Sequence, residues 1–254
     1  LGKPGEFYSE ELLYQMFGVN AELLIDHAWG YEPCTIAQIR AYKPQSSSLG
    51  CGQVLPCPYT ADKARIVVQE MIDGISLELV EKRLVTDQLV LTVGYDIENL
   101  TRPEIRKVYK GPVTTDRYGR RVPKHAHGTW NLPRATSSSS ELLEAMAALY
   151  DKIVNPALLI RRMSLSACHV VNEKMAKERE QKETFEQLDL FTDYAKKEAK
   201  EKEEQKKRER ERRMQEALLT IKKKYGKNAV LRGMNFEEGA TAKERNGQIG
   251  GHQA

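Results

Sequence analysis

Ile160-Arg161-Arg162-Met163-Ser164-Leu165-Ser166-Ala167 decides the fold, because from Arg162 onward apolar and polar side chains alternate strictly. A period of two places Met163, Leu165 and Ala167 on one face of a strand and Arg162, Ser164 and Ser166 on the other. That pattern predicts a half-buried strand over Leu158–Val171, with one face in a core and one face open. Pro156 stands just before it and stops a helix. The helix opens at Ser138, where Glu141 three residues later makes a capping box, and carries Leu142, Leu143, Met146, Leu149, Tyr150 and Ile153 at helical spacing.

Further back the same two patterns alternate. Gly128–Leu132, with Trp130, reads as a short strand, and Gln88–Tyr95 as a longer apolar one. Between Thr60 and the latter strand, Ala64, Val67, Val68, Met71, Ile72, Ile75 and Leu79 mark a helix with Thr60 at its cap. Ser46–Leu55 reads as a polar first strand, closed by Pro56 and Pro58. The order is β-α-β-β-α-β, which predicts an α+β, ferredoxin-like split arrangement with both helices on one face of a four-stranded sheet. Its other face is left open, and the small polar Ser46, Ser47, Ser48, Ser164 and Ser166 suit close approach by a sugar–phosphate backbone. Ahead of this domain, Ser9–Trp29 predicts two short helices separated by Gly18. Residues 33–45 read as an extended connector.

The chain has 254 residues, 40% apolar and 30% charged, with few aromatics. Such a composition predicts a modest core with a polar appendage rather than one large core. No run of 18 uncharged apolar residues occurs, so a membrane partner is not expected. With four cysteines and no secretory leader at its start, the chain reads as a cytoplasmic protein. It opens on Leu1, which suggests a fragment or processed product. From Arg102 to Arg134 nine bases stand against two acids, a local excess of +7 that points to a polyanion. From Glu173 to Arg213, by contrast, 14 bases and 13 acids are finely mixed. That segment reads as a helical or mobile extension outside the core.

No P-loop, nucleophile elbow, zincin, kinase or dinucleotide pattern is present. Cys34, Cys51, Cys57 and Cys168 lack metal-ligand spacing, so no metal or other cofactor is expected. Asp96-Ile97-Glu98 lacks a second acidic cluster, and Asp96 reads as a turn cap. In the charged segment, however, Gln187-Leu188-Asp189-Leu190-Phe191 forms an apolar cluster that needs a partner. It matches at every position the pentapeptide by which bacterial proteins bind the sliding clamp.

These pieces together resemble the C-terminal part of a Y-family translesion DNA polymerase, of the UmuC-like group found in Gram-positive bacteria. The similar stretches are Phe17-Gly18-Val19 through His27-Ala28-Trp29-Gly30, Ser47–Leu55, Val93-Gly94-Tyr95-Asp96, Gly119–Gly128, Ile160–Ser166 and Arg245–His252. The resemblance implies the end of a helical thumb at 1–32, a linker at 33–45, a little-finger domain at 46–172 and a clamp-binding tail at 173–254. It implies grip on the backbone of template–primer DNA by Ser47, Ser48, Gly50, Arg117, Arg120, Arg121, Lys124, His125, His127, Arg161 and Arg162, beside Ser164 and Ser166. Tethering to the sliding clamp falls to Gln187–Phe191. The family's palm carboxylates, and the Mg²⁺ they hold, have no counterpart here, so the chain is expected to bind DNA in damage tolerance without polymerising. Two other readings stay open: a stand-alone RNA-binding module, and a non-catalytic scaffold that recruits proteins.

Overall fold

The computed structural model describes residues 9–18, 20–32, 34–42, 47–116, 119–183, 194–249 and 252–253. The chain divides into two compact units, residues 1–45 and 46–254. In the first, α1 (Glu10–Phe17), α2 (Asn20–Ala28) and α3 (Ile36–Ala41) follow one another, with Leu13 and Ala21 buried. Gly18, at φ +57°, ends α1 in a backbone region that favours glycine. The extended connector expected at 33–45 is instead interrupted by α3. Its start is a capping box: the Gln38 amide donates to Thr35 Oγ1 (3.3 Å) and the Thr35 amide to Gln38 Oε1 (2.8 Å). These caps support a six-residue helix that buries none of its side chains.

The second unit runs β1 (Leu49–Tyr59), α4 (Ala61–Lys82), β2 (Leu84–Tyr95), α5 (Glu98–Thr101), α6 (Pro103–Val108), β3 (Val113–Thr115) and β4 (Arg121–Pro123). It continues with β5 (Ala126–Thr136), α7 (Ser139–Ile153), β6 (Ile160–Cys168), β7 (Val171–Asn172), α8 (Glu173–Glu183), α9 (Tyr194–Tyr225), α10 (Ala242–Arg245), β8 (Gln248–Ile249) and β9 (His252–Gln253). Strands β1, β2, β5 and β6 with helices α4 and α7 make the β-α-β-β-α-β series. They form an antiparallel sheet in the order β1-β6-β2-β5.

Each β-α-β unit is therefore split by one antiparallel strand, but the chain path departs from the ferredoxin-like one. There the first and third strands occupy the centre; here the second and fourth do. The proline distribution is compatible with this order. β1 contains Pro56 and Pro58, and β5 contains Pro133, so neither can donate a full ladder on both sides. β2 and β6 have no proline and take the centre.

The apolar faces of β2 and β6 (Leu89, Leu91, Val93; Met163, Leu165, Ala167) pack with Val67, Met71 and Ile75 of α4 and Leu142, Met146 and Leu149 of α7 in one core. Ser76 and Ser139 hydroxyls join the two helices at 2.7 Å. Ser138 accepts from the Glu141 amide at 3.3 Å and so caps α7. Thr60 occupies the N-cap position of α4 without a side-chain capping bond. The predicted last strand is broken at His169, whose φ of 51° turns the chain so that β7 pairs with the start of β2.

The charged segment differs most from expectation. It is helical in α9, but the helix's later half lies on the core. Gln215, 2% exposed, donates to Ser137 O (3.0 Å) and Ser139 Oγ (2.8 Å). Glu211 accepts from the Ser140 amide (2.8 Å) and the Ser138 hydroxyl (2.6 Å), adding a carboxylate to the start of α7. The chain after α9 then returns along α4, where Arg232 pairs with Asp73 at 2.7 Å. Buried Glu70 receives Asn235 Nδ2 (2.8 Å) and the amides of Thr241 (2.9 Å) and Ala242 (3.0 Å). These docking contacts are mostly polar, which is why an apolar-stripe reading of the segment does not reveal them.

Candidate nucleic-acid interface

The sheet face away from the helices is built by register. Gly52, Ser164, Thr92 and His127 form one cross-strand row, and Gly50, Ser166, Val90 and Thr129 the next. Four of these eight residues carry hydroxyls, and the two edge glycines keep the surface flat. A Cβ at Gly50 would come 2.9 Å from Ser166 Oγ, so that glycine fits because of its neighbour. The His127 ring nitrogen Nδ1 and Thr92 Oγ1 are hydrogen-bonded at 2.9 Å. Among the described residues this face presents no Phe, Tyr or Trp. Trp130 and Tyr95 both pack against the helix-side core, and Tyr95 is 7% exposed. Tyr95 Oη accepts from the Asn155 amide, and burial pushes its hydroxyl above the usual tyrosine range.

The segment joining β2 to β5 is pinned at its root. Asn99, fully buried, donates to Asp96 O and Leu159 O and accepts from the Leu159 amide, all within 2.8 Å. Asp96 caps the turn by accepting from the Glu98 amide at 2.8 Å, as expected. Beyond this root, α5, α6 and the β3–β4 hairpin carry the basic stretch. Its cations are of two kinds. Arg102 pairs with Glu98, Arg120 with Asp116 and Arg134 with Glu141. Arg106, Lys107, Lys110, Arg121 and Lys124 are exposed and form no ion pair with the described residues. His125 lies where this segment meets the open face, sharing a recess with Thr92, Gly94, Arg162 and Ser164.

The structure thus gathers Gly50, His125, His127, Arg162, Ser164 and Ser166, with Arg121 and Lys124 on the adjoining segment. It adds Thr92, Thr129, Gly52 and Gly94. Alternation along β2 and β5 carries the signal for these, but only the register shows which residues stand side by side. Ser48 is exposed just before β1. The Ser47 hydroxyl donates to Val170 O, fastening the residues before β1 to the turn between β6 and β7. Arg161 leaves the group altogether. Between Val54 and Tyr59 the β1–β6 register slips, and the Arg161 guanidinium donates to the carbonyls of Leu55 (3.2 Å) and Pro56 (3.1 Å) in that bulge. Its Nε donates to Asp96, 3% exposed on its side chain, at 2.5 Å. Arg117 and Gln187–Phe191 lie outside the described residues.

The carboxylates beside the sheet are each engaged by a side chain. Asp87 is bonded to His169 (2.9 Å), Asp96 to Arg161 and Glu98 to Arg102, so each faces a different side-chain partner. No group of three or more His, Cys, Asp or Glu among the described residues converges as metal ligands would. Likewise no helix among them is long and apolar enough to cross a membrane. No protein-family model matches the chain, and no curated protein matches it.

Proposed function

We propose that the chain grips duplex DNA by its phosphates and tethers to a sliding clamp, as the little finger and tail of a translesion polymerase would. The observation that carries this reading is the open, hydroxyl-bearing sheet face, reached through His125 by a basic segment whose five exposed cations form no ion pair with the described residues. Hydroxyls and flexible cations hold phosphate oxygens without reading bases. An RNA-binding module of the stacking kind would need aromatics on the central strands, and that face offers none among the described residues. A cytoplasmic setting and the absence of polymerase activity belong to the same proposal.

A salt titration with the full chain and a 30-base-pair duplex tests it. With Arg162, six exposed cations of this face and segment form no ion pair among the described residues, so log K should fall against log salt with a slope of magnitude up to about five. Duplexes of different sequence should bind alike, and a single strand of equal length more weakly. Sequence discrimination, or preference for the single strand, counts against the reading. The clamp half is tested separately, by titrating purified sliding clamp with the chain and with its L190A/F191A variant. Burial of each side chain contributes about 1.5–3 kcal/mol, so the pair should lower affinity at least tenfold. Primed template, dNTPs and Mg²⁺ should yield no extension.

A further inference from the structure

Gly94 lies on β2 directly opposite Arg162 of β6. Its φ is not in the left-handed region, so backbone conformation does not require glycine. Space does. A Cβ at position 94 would stand 2.6 Å from Arg162 Cγ, 2.7 Å from Nε and 3.2 Å from Cδ, all closer than carbon atoms pack. The arginine stem therefore runs flat across residue 94. Held down on the strand, the side chain borders a shallow recess of about 280 Å³ lined by Thr92, Gly94, His125, Arg162, Met163 and Ser164. No carboxylate among the described residues lines it. Arg162 makes no ion pair with the described residues, although its neighbour Arg161 is fully engaged with Asp96 and two carbonyls.

A planar guanidinium with unspent donors, two hydroxyls and an imidazole around one recess is chemistry for a tetrahedral oxyanion. We propose that this recess seats one phosphodiester of a duplex, that Arg162 is its principal donor, and that Gly94 is the positioning residue that lays Arg162 into place. The proposal rests on reading the open face as a backbone-binding surface. Preorganisation is its core: a side chain already lying along the recess loses less rotamer freedom on binding than one extending into solvent.

Glycine makes the idea testable without removing a charge. In the full chain, G94A should swing Arg162 aside from its Cγ outward without moving backbone, so the chain should fold with a modestly lowered melting temperature. R162Q should flatten the salt slope of duplex binding by about one unit and lower affinity about eightfold at 0.1 M salt. G94A should weaken binding in the same direction, and the G94A/R162Q double variant should bind no worse than R162Q, because both act through one contact. Additive losses, or wild-type binding by G94A, overturn the proposal. A second probe does not depend on DNA. Inorganic phosphate titrated into ¹⁵N-labelled chain should shift the amides of Thr92, Gly94 and Ser164, and R162Q should abolish those shifts. Shifts with phosphate but no duplex binding would keep the oxyanion seat for a free phosphate and sink the duplex reading. No shifts and no duplex binding would sink both.

Discussion

Arg161 and Arg162 are consecutive in the chain and opposite in role. Strand alternation separates their side chains, and the β1 bulge supplies two carbonyls that only one of them can reach. Arg161 thereby becomes a fastening for Asp96, whose carboxylate is almost wholly buried. Removing the arginine leaves a buried charge without its partner, which costs on the order of 3 kcal/mol. For a domain of this size R161A should melt roughly 6–12 °C lower. R162Q, exposed and unpaired, should melt as wild type and show its effect in DNA binding. Thermal melts of the two variants separate these roles. Equal melts would mean that the Arg161–Asp96 contact contributes little to the fold.

At the level of elements, the segment after α9 is the most exposed to test. It is held on α4 by buried Glu70, which accepts from Asn235, Thr241 and Ala242, and by the Arg232–Asp73 and Lys63–Glu238 pairs, while Gln53 of β1 bonds Thr241 and Arg245. Hydrogen bonds to a charged group are worth about 1.5–3 kcal/mol each and are not additive. E70A should therefore loosen residues 235–242, where its three bonds are lost, seen as faster amide hydrogen exchange there. Amides of α7 and β6, which lie in the sheet-and-helix core, should keep their protection. Uniform loss of protection would instead make this segment part of the cooperative core. The helix α9 is anchored separately, through Gln215 and Glu211 on the Ser137–Ser140 turn, and should stay docked in that variant.

On the scale of the whole molecule, pairing rather than composition decides which charges are available to a polyanion. The basic stretch counts nine bases by sequence, yet Arg102, Arg120 and Arg134 each face a carboxylate. Replacing Lys110, Arg121 and Lys124 by Ala should flatten the salt slope of duplex binding by nearly three units. Replacing Arg102 and Arg120 should change it less, because those guanidiniums are already neutralised by Glu98 and Asp116 and release few counterions from DNA. Equal slopes for the two sets would show that the ion pairs open on binding.

Much of the fold was legible in residue pattern alone. Alternation along Arg162–Ala167, helical spacing from Ala64 to Leu79, and the Ser138–Glu141 box each act within a few residues, and local physics is what periodicity and capping report. The strand order was not legible in this way, because strand pattern does not say which strand lies beside which. Other features needed partners distant in sequence. Thr92 stands beside Ser164 and His127 only because β2 lies between β6 and β5. Glu70 is a docking point only because Thr241 returns to it, and Gly94 is a seat only because Arg162 crosses it. Sequence by itself determined the elements, their polarity and the excess of positive charge, since these follow from neighbours along the chain. Tertiary structure alone decided which cations remain unpaired, which face is open and where the charged helix rests, because each depends on contacts between residues tens of positions apart.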